Sequence, residues 1–281
     1  MLTSRFFFMS KKVAIQGVQG SFHHLVCQRY FTSGVAIEPL LTFKQVVEAL
    51  TAKKVDAAVM ALENSIAGSI IPNYAMIDAN ELHITGEYYL DVQHNLMALT
   101  GQSIAHIKEV YSHPMALLQC QAFFDKHPHI KLVEDSDTAE VAQRIHKQQI
   151  NGIAAIASTA AAEIYQLEIL AQNIQTIQTN ETRFVIIERL PNPASTINKA
   201  SLKFLLDHKR GSLAAMLNVM SDCRLNLTKI QSLPKIDTPW KYAFFVDVTF
   251  EALEDYEKAK AIMEIMAEEF KVLGTYKNAK K

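Results

Sequence analysis

The sequence predicts two folds in series. An α/β region with mostly parallel sheets occupies residues 1–190, and a small α+β module occupies 198–281, with 191–197 as the linker. Three observations carry this division. Apolar runs alternate with helix-period patterns through the first part, and the alternation goes through two rounds. Pro191-Asn192-Pro193-Ala194-Ser195 then interrupts every periodicity. Beyond it the pattern reads strand, helix, strand, strand, helix, strand, the split βαββαβ order of a ferredoxin-like module.

In the first round, the apolar run Val13-Ala14-Ile15 enters the turn Gly17-Val18-Gln19-Gly20-Ser21, followed by a mixed stretch to Tyr30. Phe43, Val46, Val47 and Leu50 recur at i, i+3, i+4 and i+7, which marks one helix face. Val55 to Leu62 is nearly continuous and apolar, as a strand buried on both faces requires. In the second round, Glu109-Val110-Tyr111 ends at Ser112-His113-Pro114, and proline suits the first turn of a helix expected over Met115 to Phe124. Asp137 with Glu140 has the form of a capping box opening a helix over Thr138 to Lys147. Gly152 to Ala157 is a further buried strand, Ser158 opens an alanine-rich helix, and Arg183 to Leu190 is the last strand of the region. After the linker, strands are expected over Ala200–Asp207, Leu225–Ser232, Trp240–Phe250 and Lys271–Tyr276. Ser212 to Cys223 reads as one helix, and Leu253, Tyr256, Met263, Met266 and Phe270 as the face of another.

Composition narrows the function classes. Lys+Arg is 28 against 29 for Asp+Glu, so there is no basic excess of the kind a nucleic-acid binder carries. No apolar run reaches the roughly 18–20 residues that a membrane span needs. The three cysteines, Cys27, Cys120 and Cys223, are scattered and odd in number, which suits reduced thiols and a cytoplasmic location better than a disulfide framework. Arg5 and Phe6-Phe7-Phe8 resemble a signal peptide, but the apolar stretch is short and Lys11-Lys12 follow it. Met9 is expected to be a second possible start, with residues 1–8 a loose extension.

Candidate chemistry gathers where strands end. Ser21, Asn64-Ser65, Ser112-His113 and Ser158 each follow a strand, the place where open α/β sheets bind ligands. Hydroxyls and amides beside free helix N–H groups either cap those helices or line an anion pocket. Glu63 is a candidate acid, or a carboxylate favoured by a helix dipole. Gly17-x-x-Gly20 is neither a dinucleotide fingerprint nor a Walker loop. The ten histidines show no metal-ligand spacing, so no metal is expected, and His113 is the one placed near a substrate. No Gly-x-Ser-x-Gly elbow is present, which argues against acyl hydrolysis. In Asn180-Glu181-Thr182-Arg183-Phe184 an arginine opens an apolar strand, either to meet an anion or to make an edge salt bridge.

These stretches together resemble the prephenate dehydratase family with a C-terminal ACT regulatory domain, over essentially the whole chain. The resemblance is carried by Gly17-Val18-Gln19-Gly20-Ser21-Phe22, Leu62-Glu63-Asn64-Ser65-Ile66 with Gly68-Ser69, His94-x-Leu96, Ser112-His113-Pro114, Ala154 to Ser158 and Thr182-Arg183-Phe184. In the second part it is carried by Gly211-Ser212-Leu213, Asn226 to Ile230, Gln231 to Pro234 and Phe244 to Asp247. The resemblance implies a two-lobed, periplasmic-binding-protein-like dehydratase region. It also implies decarboxylating dehydration of prephenate to phenylpyruvate in phenylalanine biosynthesis, with no cofactor. Thr182, Arg183 and Glu63 are then the expected catalytic residues, Thr182 at the leaving hydroxyl and Arg183 on a substrate carboxylate. Gly20, Ser21, Asn64, Ser65, Ser112, His113 and Phe184 are the expected substrate contacts. Gly211, Ser212, Leu213, Asn226, Leu227, Gln231 and Ser232 are the expected L-phenylalanine site, in a homo-oligomer that is a dimer or tetramer.

Two departures bear on those expectations. Val18-Gln19 stands where the family has Pro-Glu, replacing a carboxylate by an amide. Gln231-Ser232-Leu233-Pro234 stands where the family has Glu-Ser-Arg-Pro, losing both charges and altering the expected response to phenylalanine. Arogenate is the alternative substrate, and a non-catalytic amino-acid-responsive binding protein is the alternative of a different class.

Overall fold

A computed structural model describes residues 11–32, 34–192, 196–235 and 241–280. The expected second start at Met9, Pro193 to Ser195 of the expected linker and the expected strand position of Trp240 lie outside the described residues. In chain order the elements begin β1 (Lys12–Gln16), α1 (Phe22–Tyr30), β2 (Ala36–Leu40), α2 (Phe43–Thr51), β3 (Ala57–Asn64), β4 (Gly68–Ser69), α3 (Ile71–Ala79) and β5 (His83–Asp91). There follow β6 (Asn95–Ala98), β7 (Glu109–Ser112), α4 (Pro114–Gln119), α5 (Gln121–Phe124), β8 (Lys131–Glu134), α6 (Thr138–Gln148), β9 (Ile153–Ala157), α7 (Thr159–Tyr165) and β10 (Glu168–Ala171). The last are β11 (Glu181–Glu188), β12 (Lys199–Leu205), α8 (Ser212–Asp222), β13 (Asn226–Pro234), β14 (Tyr242–Thr249), α9 (Leu253–Met266) and β15 (Glu269–Tyr276). Contacts divide the chain into two units, one of residues 1–68 with 90–184 and one of 69–89 with 185–281.

The first unit holds two sheets. In one, β2, β1 and β3 run parallel in that order, with the start of β11 beside β3. Val13 to Ile15 and Ala57 to Leu62 are almost wholly buried, as their unbroken apolar sequence requires. Helix α2 closes its first turn with a capping box, Thr42 and Gln45 exchanging side-chain and backbone bonds, and buries Val46, Val47 and Leu50. The other sheet has the order β10-β6-β9-β7-β8 and is mixed rather than mostly parallel. β7 pairs in parallel with β8 and β9, but β6 pairs antiparallel with both β9 and β10. β6 and β10 are the strands that bring the chain into this sheet and take it out, so they run against the βα units between them. Alternation along β9 supplies two cores. Ala154 and Ile156 pack with α4 and α5 on one side, Ala155 and Ala157 with α6 and α7 on the other.

Local differences from the expected elements have local causes. The helix expected over Met115–Phe124 is two short helices that meet at Cys120, whose φ of -103° and ψ of 8° leave the α region. Asp137 caps α6 through Ala139 and Glu140 N–H, but the Glu140 carboxylate accepts from Ser136 Oγ, so no reciprocal box forms. Helix α9 ends at Met266 with Ala267 extended, and Phe270 belongs to β15.

In the second unit the antiparallel order is β13-β14-β12-β15, and the described elements follow the βαββαβ sequence. Ala200, Leu202, Phe204, Val246 and Val248 face α8 and α9 and form one core. The opposite face packs on α3 and β5 and is polar at intervals. Lys199 donates to both Glu87 oxygens at 3.0 and 2.8 Å with its side chain 4% exposed, while Lys203 and Lys271 converge on Asp78 at 2.7 and 2.9 Å. Gly274 lies so near β5 that a Cβ there would stand 2.0 Å from the Ile84 carbonyl oxygen, which excludes any side chain.

Candidate active site

The first unit brings the end of β3 beside the start of β11. Ser65 N–H donates to Glu181 O at 2.8 Å and Glu181 N–H to Ser65 Oγ at 3.0 Å, locking the two segments together. Asn64 sits at the centre. Its Nδ2 donates to Asn180 Oδ1 at 2.7 Å and to Thr182 Oγ1 at 2.8 Å, while its Oδ1 accepts from Ile66 and Ala67 N–H. Asn180 Nδ2 reaches Gln119 Oε1 at 2.9 Å, and Gln119 Oε1 also lies 2.9 Å from His94 Nε2. Asn180 and His94 are buried, and Thr182 is 8% exposed. A cavity of about 390 Å³ opens beside this chain of amides, lined by Ile66, Met115, Leu118, Gln119, Thr176 and Ile177 among others.

The remaining expected residues fall into three places. Ser21 caps α1 by accepting from His24 N–H, and Gly20 is pinned by its carbonyl, which accepts from Ser158 Oγ at 2.6 Å. At Gly20, φ is +86° and a Cβ would stand 2.8 Å from Ala161 Cα, so glycine is required both by conformation and by space. Ser112 is fully buried and donates to Ile156 O, and exposed His113 caps α4 by accepting from Met115 N–H. Neither hydroxyl nor imidazole joins the Asn64 network. Strand alternation puts Arg183 on the face of β11 opposite Thr182, where it is 2% exposed. The same alternation puts Glu63 on the face of β3 opposite Asn64. Thr182 and Arg183 thus start from opposite faces of β11. Phe184 shares the Thr182 face and packs edge-on against His23 at 4.9 Å.

In the second unit, Gly211 begins α8 with φ +87°, followed by half-buried Ser212 and Leu213. Asn226, Leu227, Gln231 and Ser232 lie along β13, an edge strand whose residues alternate between half-buried and exposed. Gln231 Nε2 donates to the neighbouring Ser232 O.

His23 and Asp137 are among the groups of the first unit whose titrations are displaced. Burial holds the His23 imidazole down at about 3, so it serves as a neutral aromatic between Phe43 and Phe184. Burial also raises Asp137, which outweighs the Glu140 and Ala139 N–H groups that it caps. A Cβ at Gly17 would stand 3.1 Å from the Asp137 Oδ2 atom. Among the described residues no group of three metal-ligating side chains gathers, and no helix is long and apolar enough to cross a membrane.

Sequence reasoning did not assign Asn180, Gln119 or His94 to the site. Asn180 lies within a segment that stands out, two residues before Thr182, and His94 within a recognisable His-x-Leu. Gln119 carries no local signal: it ends α4, and its partners lie 25 and 61 residues away.

The prephenate dehydratase family model matches residues 13–192. Arogenate dehydratase/prephenate dehydratase 2, chloroplastic, of Arabidopsis thaliana is 37% identical over 279 residues, spanning 94% of this chain and 72% of that protein. Among solved structures, GqqA, described as a novel type of quorum quenching acylase, aligns with a TM-score of 0.85 at 27% identity over 96% of this chain and 98% of its own. The prephenate dehydratase of Arthrobacter aurescens, solved in complex with L-Phe, aligns with a TM-score of 0.87 over 95% of this chain and 90% of its own. At 24% identity that likeness is one of fold.

Proposed function

We infer the reaction from one premise: this chain belongs to the prephenate dehydratase family. It is a carbon–oxygen lyase that converts prephenate to phenylpyruvate, carbon dioxide and water. The ring carboxylate leaves as CO₂, its bonding pair aromatises the ring, and the C–O bond to the ring hydroxyl breaks. One proton must reach that oxygen for it to leave as water. The observation that carries the site assignment is Thr182 Oγ1, which accepts from Asn64 and so keeps its own O–H free to donate. Thr182 hydrogen-bonds the leaving hydroxyl and relays or orients the proton, while Asn64 and Ser65 hold it in place. Arg183 and Glu63 act from the opposite faces of β11 and β3, as supports of the strands rather than as contacts beside Thr182.

Residues 1–190 form the catalytic region and 191–197 the linker in this reading, and 198–281 form an ACT regulatory domain. The αL turn at Gly211 with Ser212 and Leu213, and Asn226, Leu227, Gln231 and Ser232 on β13, form its L-phenylalanine site. β13 is an edge whose free backbone groups suit pairing with a second copy, hence a homo-oligomer. The setting is cytoplasmic.

Phenylpyruvate release from prephenate, by the wild type beside Thr182→Ala and with and without L-phenylalanine, tests these roles. Losing a preorganised donor lowers the rate by about 10²–10³, and that is the expected fall for Thr182→Ala. A folded Thr182→Ala chain within a few-fold of wild type removes Thr182 from the reaction. Arogenate is the second reading, because the Arabidopsis relative is named for both substrates. A higher kcat/KM on arogenate than on prephenate selects it. Hydrolysis of acyl substrates without phenylpyruvate release moves the chain to the chemistry named for GqqA.

A further inference from the structure

The hydrogen bonds between Asn64 and His94 run in one direction, and the main chain sets it. Asn64 Oδ1 accepts from Ile66 N–H at 3.0 Å and Ala67 N–H at 2.8 Å. Peptide N–H groups only donate, so the Asn64 amide cannot be turned over. Its Nδ2 must then face Asn180 Oδ1 and Thr182 Oγ1. With its oxygen engaged, Asn180 turns Nδ2 to Gln119 Oε1. An amide oxygen only accepts, so the His94 Nε2 atom 2.9 Å from Gln119 Oε1 carries a proton. The other ring nitrogen, Nδ1, is buried with no hydrogen-bond partner, and burial favours the neutral ring although the Gln119 bond opposes it. Phe22 meets the ring edge-on at 5.7 Å and limits its rotation. Gln119 Oε1 is thereby held by two donors, while the same side chain lines the cavity.

We propose that His94 is a positioning residue, fixed as the neutral Nε2–H tautomer, that holds Gln119 with its amide N–H₂ turned to the cavity. Gln119 then offers the cavity a donor, its Nε2–H₂, at the end of the amide chain that begins at Thr182, and suits a substrate with an acceptor there, such as a carboxylate or a keto oxygen. This rests on the reading of Thr182 at the leaving hydroxyl. The tautomer does not depend on that reading and is measured separately.

Imidazole ¹⁵N spectra of the full chain, with the His94 signals assigned by their loss in His94→Gln, are expected to show a protonated Nε2 and a bare Nδ1. In kinetics, His94→Phe removes the donor and lowers kcat by about tenfold, the worth of one net hydrogen bond, with KM moving less. His94→Gln restores an N–H near the Nε2 position and recovers most of that loss. A protonated Nδ1 with a bare Nε2 overturns the proposal even if the His94→Phe chain does not fold. So does equal impairment of two folded variants, because a structural role for the ring alone predicts no rescue. Absence of turnover on prephenate and arogenate defeats the functional reading instead, and the spectra still decide the tautomer.

Discussion

His23 shows how one buried side chain can dominate acid behaviour. Its ring is 8% exposed, wedged between Phe43 and Phe184, and its Nε2 has no hydrogen-bond partner. The folded chain holds it neutral down to about pH 3, whereas an unfolded chain protonates it near its ordinary value. The unfolded state therefore binds more protons as pH falls from about 6.5 to 3, and stability drops by about 1.4 kcal/mol per pH unit in that window. His23→Phe keeps the aromatic volume and removes the titration. Chemical denaturation at stepped pH is expected to give a shallower acid slope for His23→Phe, and an unchanged slope means that His23 is not the group responsible. The same residue marks a limit of sequence reading. Nothing local to His23-His24 marks His23 as core, and it is packing against Phe184, distant in sequence, that makes it so.

Among elements, α3 shows what a strand register can organise. Asp78, near its end, receives Lys203 from β12 and Lys271 from β15, and these cations outweigh the upward push of burial to leave its carboxyl below the usual range. A depressed carboxyl stabilises the fold above its unfolded pKa of about 3.9 and loses that contribution as pH falls through the folded value. Asp78→Asn is expected to cost about 1–3 kcal/mol at pH 7, with the gap to wild type closing below about pH 4. A gap that is the same at pH 3 and pH 7 excludes the ion pairs as its source. Elements with strong periodicity were legible in sequence: the α2 face, the unbroken β3 run, and the strand order after the linker. α3 and β5 were not, because their burial is set by the face of a sheet formed more than a hundred residues later. Gln119 was illegible for the same reason, since its meaning lies wholly in distant partners.

For the molecule as a whole, the linker expected from the sequence near residue 191 does not coincide with the division by contacts. Residues 69–89 belong with 185–281, so a chain cut at the linker loses the partners of α3 and β5. Glu87 would then lose both Lys199 and the sheet that buries the pair. A chain ending at residue 190 is expected to show fast amide exchange across 69–89, and full protection there would mean that this segment folds without the sheet. The Asn64 network has a different kind of permanence. Its polarity is written in the peptide groups of Ile66 and Ala67, which every residue except proline supplies alike. Exchanging side chains at those two positions leaves that instruction intact, whereas shortening or lengthening the turn after β3 rewrites it. Side chains at positions 66 and 67 are therefore open to change while the length of that one turn is not.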